Sequence, residues 1–370
     1  MASSFGHCLR YGNKKMNNKF SLSRRRLLKT SAGAAAMLAM PALLTKAFAA
    51  DTLTISDYGG VFEQGFRLAF YDPFEKEFGI KINTITVSPD PVPQYKMSVD
   101  TKSYLSDVVM LTPEHVNRLS KMGSYLEDLN LKIDDPENYV KGSITPKFGG
   151  IEVYALALGY RKDTMGSNAP KNWVDFWNVD KFKGRRGLWH SPVLTLETAL
   201  LADGVSPDKL YPLDVDRAFK SLDKIRDHID IWWTSGSQAT QLAQSGELDM
   251  MSIWSTRAQA AVDGGAPVGI SWDQGFYNID GWTIPTGSPK IELSRKFIQY
   301  CMNAERQAKF TDVLSAGPVN TKAYDYIKKE RAELLPTTPE HVKGMQPLNA
   351  AYWGEHQDAL TERFEKWLLG

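Results

Sequence analysis

Cysteine is scarce in this sequence, with two residues among 370, Cys8 and Cys301. Because Cys8 lies in an N-terminal segment that we expect to be removed, the remaining chain has a single thiol and cannot form an intrachain disulfide. Its stability must then come from burial of apolar side chains, for which a chain of this length is sufficient. Residues 297–302 form an apolar helical face, so we expect Cys301 to be buried there.

Sequence signatures of enzymes are also missing. The chain has no Gly-x-Ser-x-Gly, no phosphate-binding loop, no Gly-x-Gly-x-x-Gly after a predicted strand and no His-Glu-x-x-His. The six histidines are dispersed without the spacing of metal ligands. We therefore predict that the protein is not an enzyme and has no cofactor or metal. A Ser-His-Asp triad assembled only in the folded state stays open as an alternative.

The sequence has no apolar run long enough for a membrane anchor. Residues 32–44 are apolar, but these 13 residues fall short of the roughly 20 that a membrane-spanning helix requires. They follow Arg24-Arg25-Arg26 and precede Ala47-Phe48-Ala49, which is the basic, apolar, small order of a signal peptide. Since Ser23-Arg24-Arg25 and the leucines after it resemble the twin-arginine signal, we predict a twin-arginine-type signal peptide over 1–49, cleavage near Ala49/Ala50 and a periplasmic location.

A basic excess is missing once this segment is set aside. Nine of the 44 lysines and arginines lie within residues 1–49, together with none of the 43 acidic residues, so the rest of the chain has a net charge of −8. A protein that neutralises nucleic-acid phosphates needs clustered positive charge. We therefore predict no nucleic-acid partner.

Short apolar strands alternate with amphipathic helices along the rest of the chain, a pattern typical of α/β proteins. A strand is predicted at 53–55, followed by a helix at 63–77 whose Phe66, Phe70 and Phe74 share one face. Further strands are predicted at 80–87, 107–111, 154–160, 187–189, 250–254 and 279–285, and further helices at 113–121, 194–201, 215–228, 238–244, 257–263, 291–303, 306–314 and 355–368.

Aromatic and polar residues follow several predicted strands. In open α/β sheets, ligands bind beyond the carboxyl ends of the strands. Tyr58, Thr112, Trp254 and Asp280 occupy such positions. An aromatic face attracts a cation through its quadrupole, so these residues predict a cleft for a cationic group. For any single tryptophan, burial in the core is the alternative.

Six segments of the chain have a familiar order, and they are 58–62, 73–80, 173–177, 182–184, 246–250 and 316–320. Together they resemble the spermidine/putrescine-type extracellular solute-binding family of ABC importers. The resemblance implies a type II periplasmic binding protein, with two α/β lobes, two crossover strands and a cleft that closes on its ligand. It implies lobe 1 at 51–157 plus 283–328 and lobe 2 at 158–282 plus 329–370, with crossings near 158–160 and 280–282. It also implies an inner-membrane ABC permease as partner of a monomeric protein.

The resemblance implies ligand-binding roles for two residues, and the chain departs from the family pattern at other positions. It implies that Trp254 supplies an aromatic wall and Asp280 a carboxylate for an ammonium group. Polyamine binders carry acidic residues where this chain has 190–194, and here Arg257 follows Trp254 by three positions. Since arginine clamps carboxylates at two points, we predict a zwitterionic ligand such as 4-aminobutyrate. Putrescine or spermidine is the alternative, and Arg257 could instead pair with Asp280 or cap a helix.

A periplasmic enzyme or a chemoreceptor ligand-binding protein is a further alternative. The predicted ligand-binding residues are Tyr58, Thr112, Trp254, Arg257, Asp280 and Trp282, with Ser191, Trp233 and Ser235 as further candidates.

Overall fold

The protein is described by a computed structural model over residues 52–88 and 90–370. The predicted signal peptide at 1–49 lies outside the described residues, so its boundaries stay a prediction. None of the described helices combines the length and the apolar character needed to cross a membrane.

Eleven strands of the described chain belong to one sheet. They are β1 (Thr52–Asp57), β2 (Lys81–Thr86), β3 (Val108–Leu111), β4 (Ile144–Thr145), β5 (Phe148–Arg161), β6 (Arg186–Trp189), β7 (Ile231–Trp233), β8 (Met250–Trp254), β9 (Val268–Thr283), β10 (Gly317–Pro318) and β11 (Met345–Pro347).

The α-helices lie between these strands. They are α1 (Val61–Phe66), α2 (Asp72–Phe78), α3 (Val92–Asp100), α4 (Pro113–Met122), α5 (Lys162–Met165), α6 (Trp173–Trp177), α7 (Thr195–Ala202), α8 (Val215–Ile225), α9 (Gly236–Ser245), α10 (Ser255–Asp263), α11 (Ile291–Cys301), α12 (Ala304–Phe310), α13 (Lys329–Ala332), α14 (Pro339–Lys343) and α15 (Ala350–Leu369). A π-helical turn, Arg67–Tyr71, joins α1 to α2.

Two long antiparallel strands form the centre of the sheet. The strand order is β2-β1-β3-β9-β5-β8-β6-β7, with β4 and β10 paired to β5 and β11 paired to β9. The strands β1, β2 and β3 are parallel on one side of this centre, and β6, β7 and β8 are parallel on the other. The mixed α/β class predicted from the sequence is confirmed.

Buried apolar side chains form two large clusters, one on each side of the centre. The first core draws on residues 53–151 and 282–316, and the second core on residues 156–276 and 348–364. Strand β5 passes from Ile151 in the first core to Leu156 in the second, and β9 returns from Phe276 to Trp282. Cys301 is fully buried in the first core.

The C-terminal helix α15 contacts both halves of the protein. Trp353 is fully buried in the second core, where its indole Nε1 donates to Glu197 Oε1 at 2.6 Å. On another face, a Cβ added at Gly354 would lie 2.6 Å from the Cβ of Asn117 in α4. A glycine at this position therefore lets α15 pack directly against α4.

Ion pairs join the same two helices. Lys121 Nζ lies 2.9 Å from Glu355 Oε2, and Arg118 Nη2 lies 2.6 Å from Asp358 Oδ1. Arg118 is buried and also donates to both carboxylate oxygens of Asp90. Helix α15 thus contributes apolar side chains to the second core and forms ion pairs with α4.

Candidate ligand-binding cleft

A cleft of about 1640 Å³, counting the solvent-filled part that is open, lies at the carboxyl ends of the parallel strands. Tyr58 directly follows β1, Thr112 follows β3, and Trp254 is the last residue of β8. Seven of the nine sequence-predicted residues line this cleft: Tyr58, Thr112, Ser191, Ser235, Trp254, Arg257 and Asp280.

The other two predicted residues are buried away from the cleft. Trp282 lies in the first core, with its ring centroid 5.5 Å from that of Phe66 and 5.9 Å from that of Phe297. Trp233 is fully buried, and its Nε1 donates to the carbonyl oxygen of Ser252 at 2.9 Å. Neither side chain lines the cleft, since both are covered by protein.

Asp280 is the centre of an acidic wall, which we define as Tyr58, Glu114, Tyr154 and Asp280 with Glu152 behind them. Asp280 is buried and accepts a hydrogen bond from the Tyr58 hydroxyl at 2.8 Å. Glu152 on β5 pairs directly with Asp280 on β9 in the antiparallel register. Burial raises the pKa of both carboxyls, that of Asp280 to about 7 and that of Glu152 well above its usual range.

The rest of the acidic wall is held by an amide. Asn278 Nδ2 donates to both oxygens of the buried Glu114, at 3.1 and 3.0 Å, and lies 3.2 Å from the Tyr154 hydroxyl. Burial, together with the negative charge of Asp280, raises the pKa of Tyr154 and Tyr58, so both phenols stay neutral donors.

Arg257 belongs to a cationic wall, which we define as Ser235, Gly236 and Arg257. The guanidinium carbon lies 4.9 Å from the centroid of the Phe62 ring, and a Cβ at Gly236 would lie 2.5 Å from Nε. The guanidinium therefore lies between the face of the Phe62 ring and the backbone of Gly236, which has no side chain. Within the described chain Arg257 has no carboxylate within 4.0 Å, and its buried Nε has no hydrogen-bond partner.

Three tryptophans at strand ends support this wall. Trp189 and Trp233 stack with centroids 5.9 Å apart, and Trp254 meets both rings edge to face at 5.1 and 5.0 Å. The parallel pairing of β6 with β7 brings two of these rings together, because Trp189 on β6 is paired with Trp233 on β7. The buried Trp254 Nε1 has no hydrogen-bond partner within the described residues.

Capping interactions position two of the predicted hydroxyl groups. Thr112 precedes α4, and its Oγ1 lies 2.9 Å from Nδ1 of His115. Burial lowers the pKa of His115, which favours the neutral ring at this position. Ser235 caps α9 by accepting from the backbone N–H of Gln238 at 3.2 Å. Each hydroxyl is thereby fixed at the edge of the cleft.

Several lining residues were missed by the sequence analysis. They are Phe62, Glu114, Tyr154, Trp189 and His190, together with Gln357, Asp358, Thr361 and Glu365 of α15. Glu152 was missed as well, although a single acid within the apolar strand β5 is a signal that could have been noticed. No local pattern indicates the α15 residues, because their place in the cleft depends on tertiary packing. The described residues contain no group of three or more side chains arranged to hold a metal ion.

Residues 69–337 match the protein family described as bacterial extracellular solute-binding protein. The chain belongs to this family. The match confirms the resemblance derived from the sequence, and it spans residues of both cores.

Relatives within the solute-binding family cover nearly the same length. A gamma-aminobutyric acid-binding protein of Pseudomonas aeruginosa is 30% identical over 86% of this chain and 91% of its own length. The spermidine/putrescine-binding periplasmic protein of Escherichia coli K12 is 21% identical over 70% of this chain and 76% of its own.

A solved structure shows the same fold. The crystal structure of an ABC transporter substrate-binding protein from Bradyrhizobium japonicum USDA 110 is 36% identical, covers 86% of this chain and 99% of that chain, and superimposes with a TM-score of 0.79. The predicted type II periplasmic-binding-protein fold is confirmed by this similarity.

Proposed function

We propose that this protein is the periplasmic substrate-binding component of an ABC importer, and that its ligand is a small zwitterion with an ammonium group and a carboxylate, such as 4-aminobutyrate. Delivery to an inner-membrane permease is part of the proposal. It is supported by the family, by the gamma-aminobutyric acid-binding relative and by the chemistry of the cleft.

The main support for the proposal is that Arg257 has no ion-pair partner within the described chain. A cation that is partly buried without a counter-ion loses hydration energy, and proteins ordinarily compensate such a group with an acid. Here its neighbours are Phe62 and Gly236, and none of the described carboxylates lies within 4.0 Å. A ligand carboxylate would supply the missing partner, in the two-point geometry that a guanidinium favours.

Asp280 supplies the complementary anion for an ammonium group. Its hydrogen bond from Tyr58 leaves carboxylate lone pairs free to accept from a ligand at the cleft surface. Trp254 lines the same cleft and offers an aromatic face to that cation. Together with Arg257 these groups match both ends of a short ω-amino acid.

Polyamine binding is the second candidate. The acids Glu114 and Glu365 line the cleft in addition to Asp280 and favour a ligand with more than one cation. However, Glu114 is already bound by Asn278 and Glu365 lies 3.1 Å from His190 Nε2. Arg257 would repel a cation, so a zwitterion fits this cleft better than putrescine does.

We further propose that the protein moves as two lobes, 51–157 plus 283–328 and 158–282 plus 329–370. The two separate cores support this division, and β5 and β9 are the connections about which the lobes would rotate. Solution scattering should then give a smaller radius of gyration with saturating ligand than without it. An unchanged radius would contradict the hinge.

Thermal denaturation and calorimetry of the ligand-free protein test the proposed ligand. A ligand at 100 times its dissociation constant stabilises a protein by about 2.7 kcal/mol, so 4-aminobutyrate should raise the melting temperature clearly. Butylamine, which lacks the carboxylate, and butyrate, which lacks the amine, are the matched controls and should each bind at least about tenfold more weakly.

The ligand recovered after the titration should be chemically unchanged, as expected of a carrier rather than an enzyme. Tighter binding of putrescine than of 4-aminobutyrate would replace the first candidate by the second. Mass spectrometry of the small molecule released from protein purified without added ligand gives an independent identification.

A further inference from the structure

Glu152 is a buried acid that has no role in the ligand site as proposed above. Its side chain is fully buried, and neither carboxylate oxygen accepts a hydrogen bond from a donor of the described residues. Glu152 does not line the cleft, whereas its cross-strand neighbour Asp280 does. Such a group, ionised and unpaired, would strongly destabilise the folded protein. Its place in the fold therefore requires an explanation.

The strand register supplies a partner. Glu152 and Asp280 are direct cross-strand neighbours on β5 and β9, next to a register shift between Gly150 and Glu152. Side chains of directly paired residues lie on the same face of a sheet. Two ionised carboxylates offer only acceptors to each other, but a single proton turns one of them into a donor.

We infer that Glu152 is a proton-bearing positioning residue, whose carboxyl group donates a hydrogen bond to Asp280 and thereby presents that carboxylate to the ligand as the acceptor of an ammonium group. The inference rests on the proposed function for the identity of the ligand. It does not rest on it for the protonation of Glu152 itself.

The charged and titratable groups around the pair fix which acid carries the proton. They are Tyr58 after β1, Glu114 on α4, Tyr154 on β5 and Arg257 on α10. Tyr58 donates to Asp280, which favours the ionised form of that group. Glu152 has no comparable donor, and burial raises its pKa more strongly than the attraction of Arg257 lowers it. The proton therefore belongs to Glu152 and the negative charge to Asp280.

A pH dependence of binding follows, with a definite sign. The pKa of Asp280 is raised to about 7 in the empty protein, and a bound ammonium group would lower it. Affinity for 4-aminobutyrate should therefore be nearly constant between about pH 8 and pH 9, where the ligand ammonium stays protonated, and fall about tenfold per pH unit below pH 7. An ordinary aspartate would show such a fall only below about pH 4.

Two substitutions distinguish the effect of the hydrogen-bond donor at position 152 from the effect of side-chain volume. Glu152→Gln keeps an N–H donor in place of the O–H, so affinity at pH 8 should stay within about threefold of the wild-type value. Glu152→Leu keeps much of the volume but has no donor. Asp280 should then take up a proton more readily, so the midpoint of the pH profile should rise by about one unit and affinity at pH 7 should fall about fivefold.

Glu197→Gln is the matched control. Glu197 is another fully buried acid, but it lies in the second half of the protein and accepts from Tyr211 and Trp353 outside the cleft. Its replacement should leave the pH profile of ligand binding unchanged. If Glu152→Gln and Glu152→Leu both keep the wild-type profile, Glu152 does not act through Asp280 and the inference is wrong.

An infrared measurement needs no ligand and therefore separates this inference from the proposed function. The difference spectrum of ligand-free wild-type protein minus Glu152→Gln at pH 7 should contain a protonated carboxyl band. Only ionised carboxylate bands in that spectrum would overturn the inference, even if 4-aminobutyrate binds. Conversely, a protonated band in a protein that does not bind 4-aminobutyrate would reject the proposed ligand and keep the proton on Glu152.

Discussion

The two walls of the cleft differ in whether their charged groups have partners within the protein. In the acidic wall, the carboxyl groups of Asp280 and Glu114 both have a donor: Asp280 accepts a hydrogen bond from the Tyr58 hydroxyl and Glu114 accepts from the Asn278 amide. In the cationic wall, Arg257 lies between Phe62 and Gly236 and has no acid of the described chain within 4.0 Å. The acidic wall is thus close to complete without ligand, whereas the cationic wall lacks its counter-ion.

This difference assigns separate tasks to the two ends of the ligand. The carboxylate end should contribute affinity, because it relieves an uncompensated charge. The ammonium end should contribute selectivity and pH dependence, because it must compete with a proton at a carboxyl whose pKa is raised by burial. Substitutions in one wall should therefore affect one end of the ligand more than the other.

Asp280→Asn should have the largest effect on the acidic wall. The change keeps the shape and removes the charge, so 4-aminobutyrate should bind with about 1.5–3 kcal/mol less free energy, the contribution of a hydrogen bond to a charged group. Isothermal titration calorimetry at pH 8 measures this loss. Asp312→Asn, at an exposed position outside the cleft, is the control and should bind normally. Equal affinities for the two variants would remove Asp280 from the ligand site.

Gly236→Ala should disturb the cationic wall without removing its charge. The new Cβ would lie 2.5 Å from Arg257 Nε, so the guanidinium must move away from its position on Phe62. We expect a loss of about 1 kcal/mol for ligands with a carboxylate, about fivefold in affinity, and little change for butylamine. Gln241→Ala, on an exposed position of the same helix α9, is the matched control. A loss that is equal for both ligands would mean that Gly236 acts on the whole cleft rather than on Arg257.

Trp254→Phe should have the smallest effect. Phenylalanine keeps an aromatic face but attracts a cation less strongly, so affinity should fall by about 0.5–1 kcal/mol. The loss should be present for 4-aminobutyrate and butylamine and missing for butyrate. Trp272→Phe serves as control, since Trp272 stacks on His341 with centroids 4.3 Å apart and does not line the cleft. A loss seen with butyrate as well would assign Trp254 a packing role only.

Regular elements of the fold were predictable where the local pattern was uniform. Strand β8 matches its predicted bounds, 250–254, because all of its residues are apolar or small and a turn precedes them. Strand β9 begins at Val268, eleven residues before its predicted start. Its first half contains the polar residues Ser271, Asp273 and Gln274, and Gln274 has a φ of 60°, so the alternation expected of a strand is interrupted.

Helix α3 was not predicted because Pro91 and Pro93 stand at its start. Prolines there look like a loop in sequence, although the first turn of a helix tolerates them, since its N–H groups have no acceptor within the helix. Positions after strands were a good guide to Tyr58, Thr112 and Trp254. The same rule failed for Trp282, which lies two residues beyond Asp280 on β9, where the side chains of α1 and α11 cover it.

Calorimetry of Arg257→Lys with 4-aminobutyrate and putrescine shows whether Arg257 receives the carboxylate of the ligand, because lysine keeps the charge and loses the planar two-point donor. We expect at least a tenfold loss of affinity for 4-aminobutyrate, about 1.4 kcal/mol, and less than a twofold change for putrescine. Unchanged binding of 4-aminobutyrate by a folded Arg257→Lys protein would make Arg257 a structural residue and remove it from the ligand site.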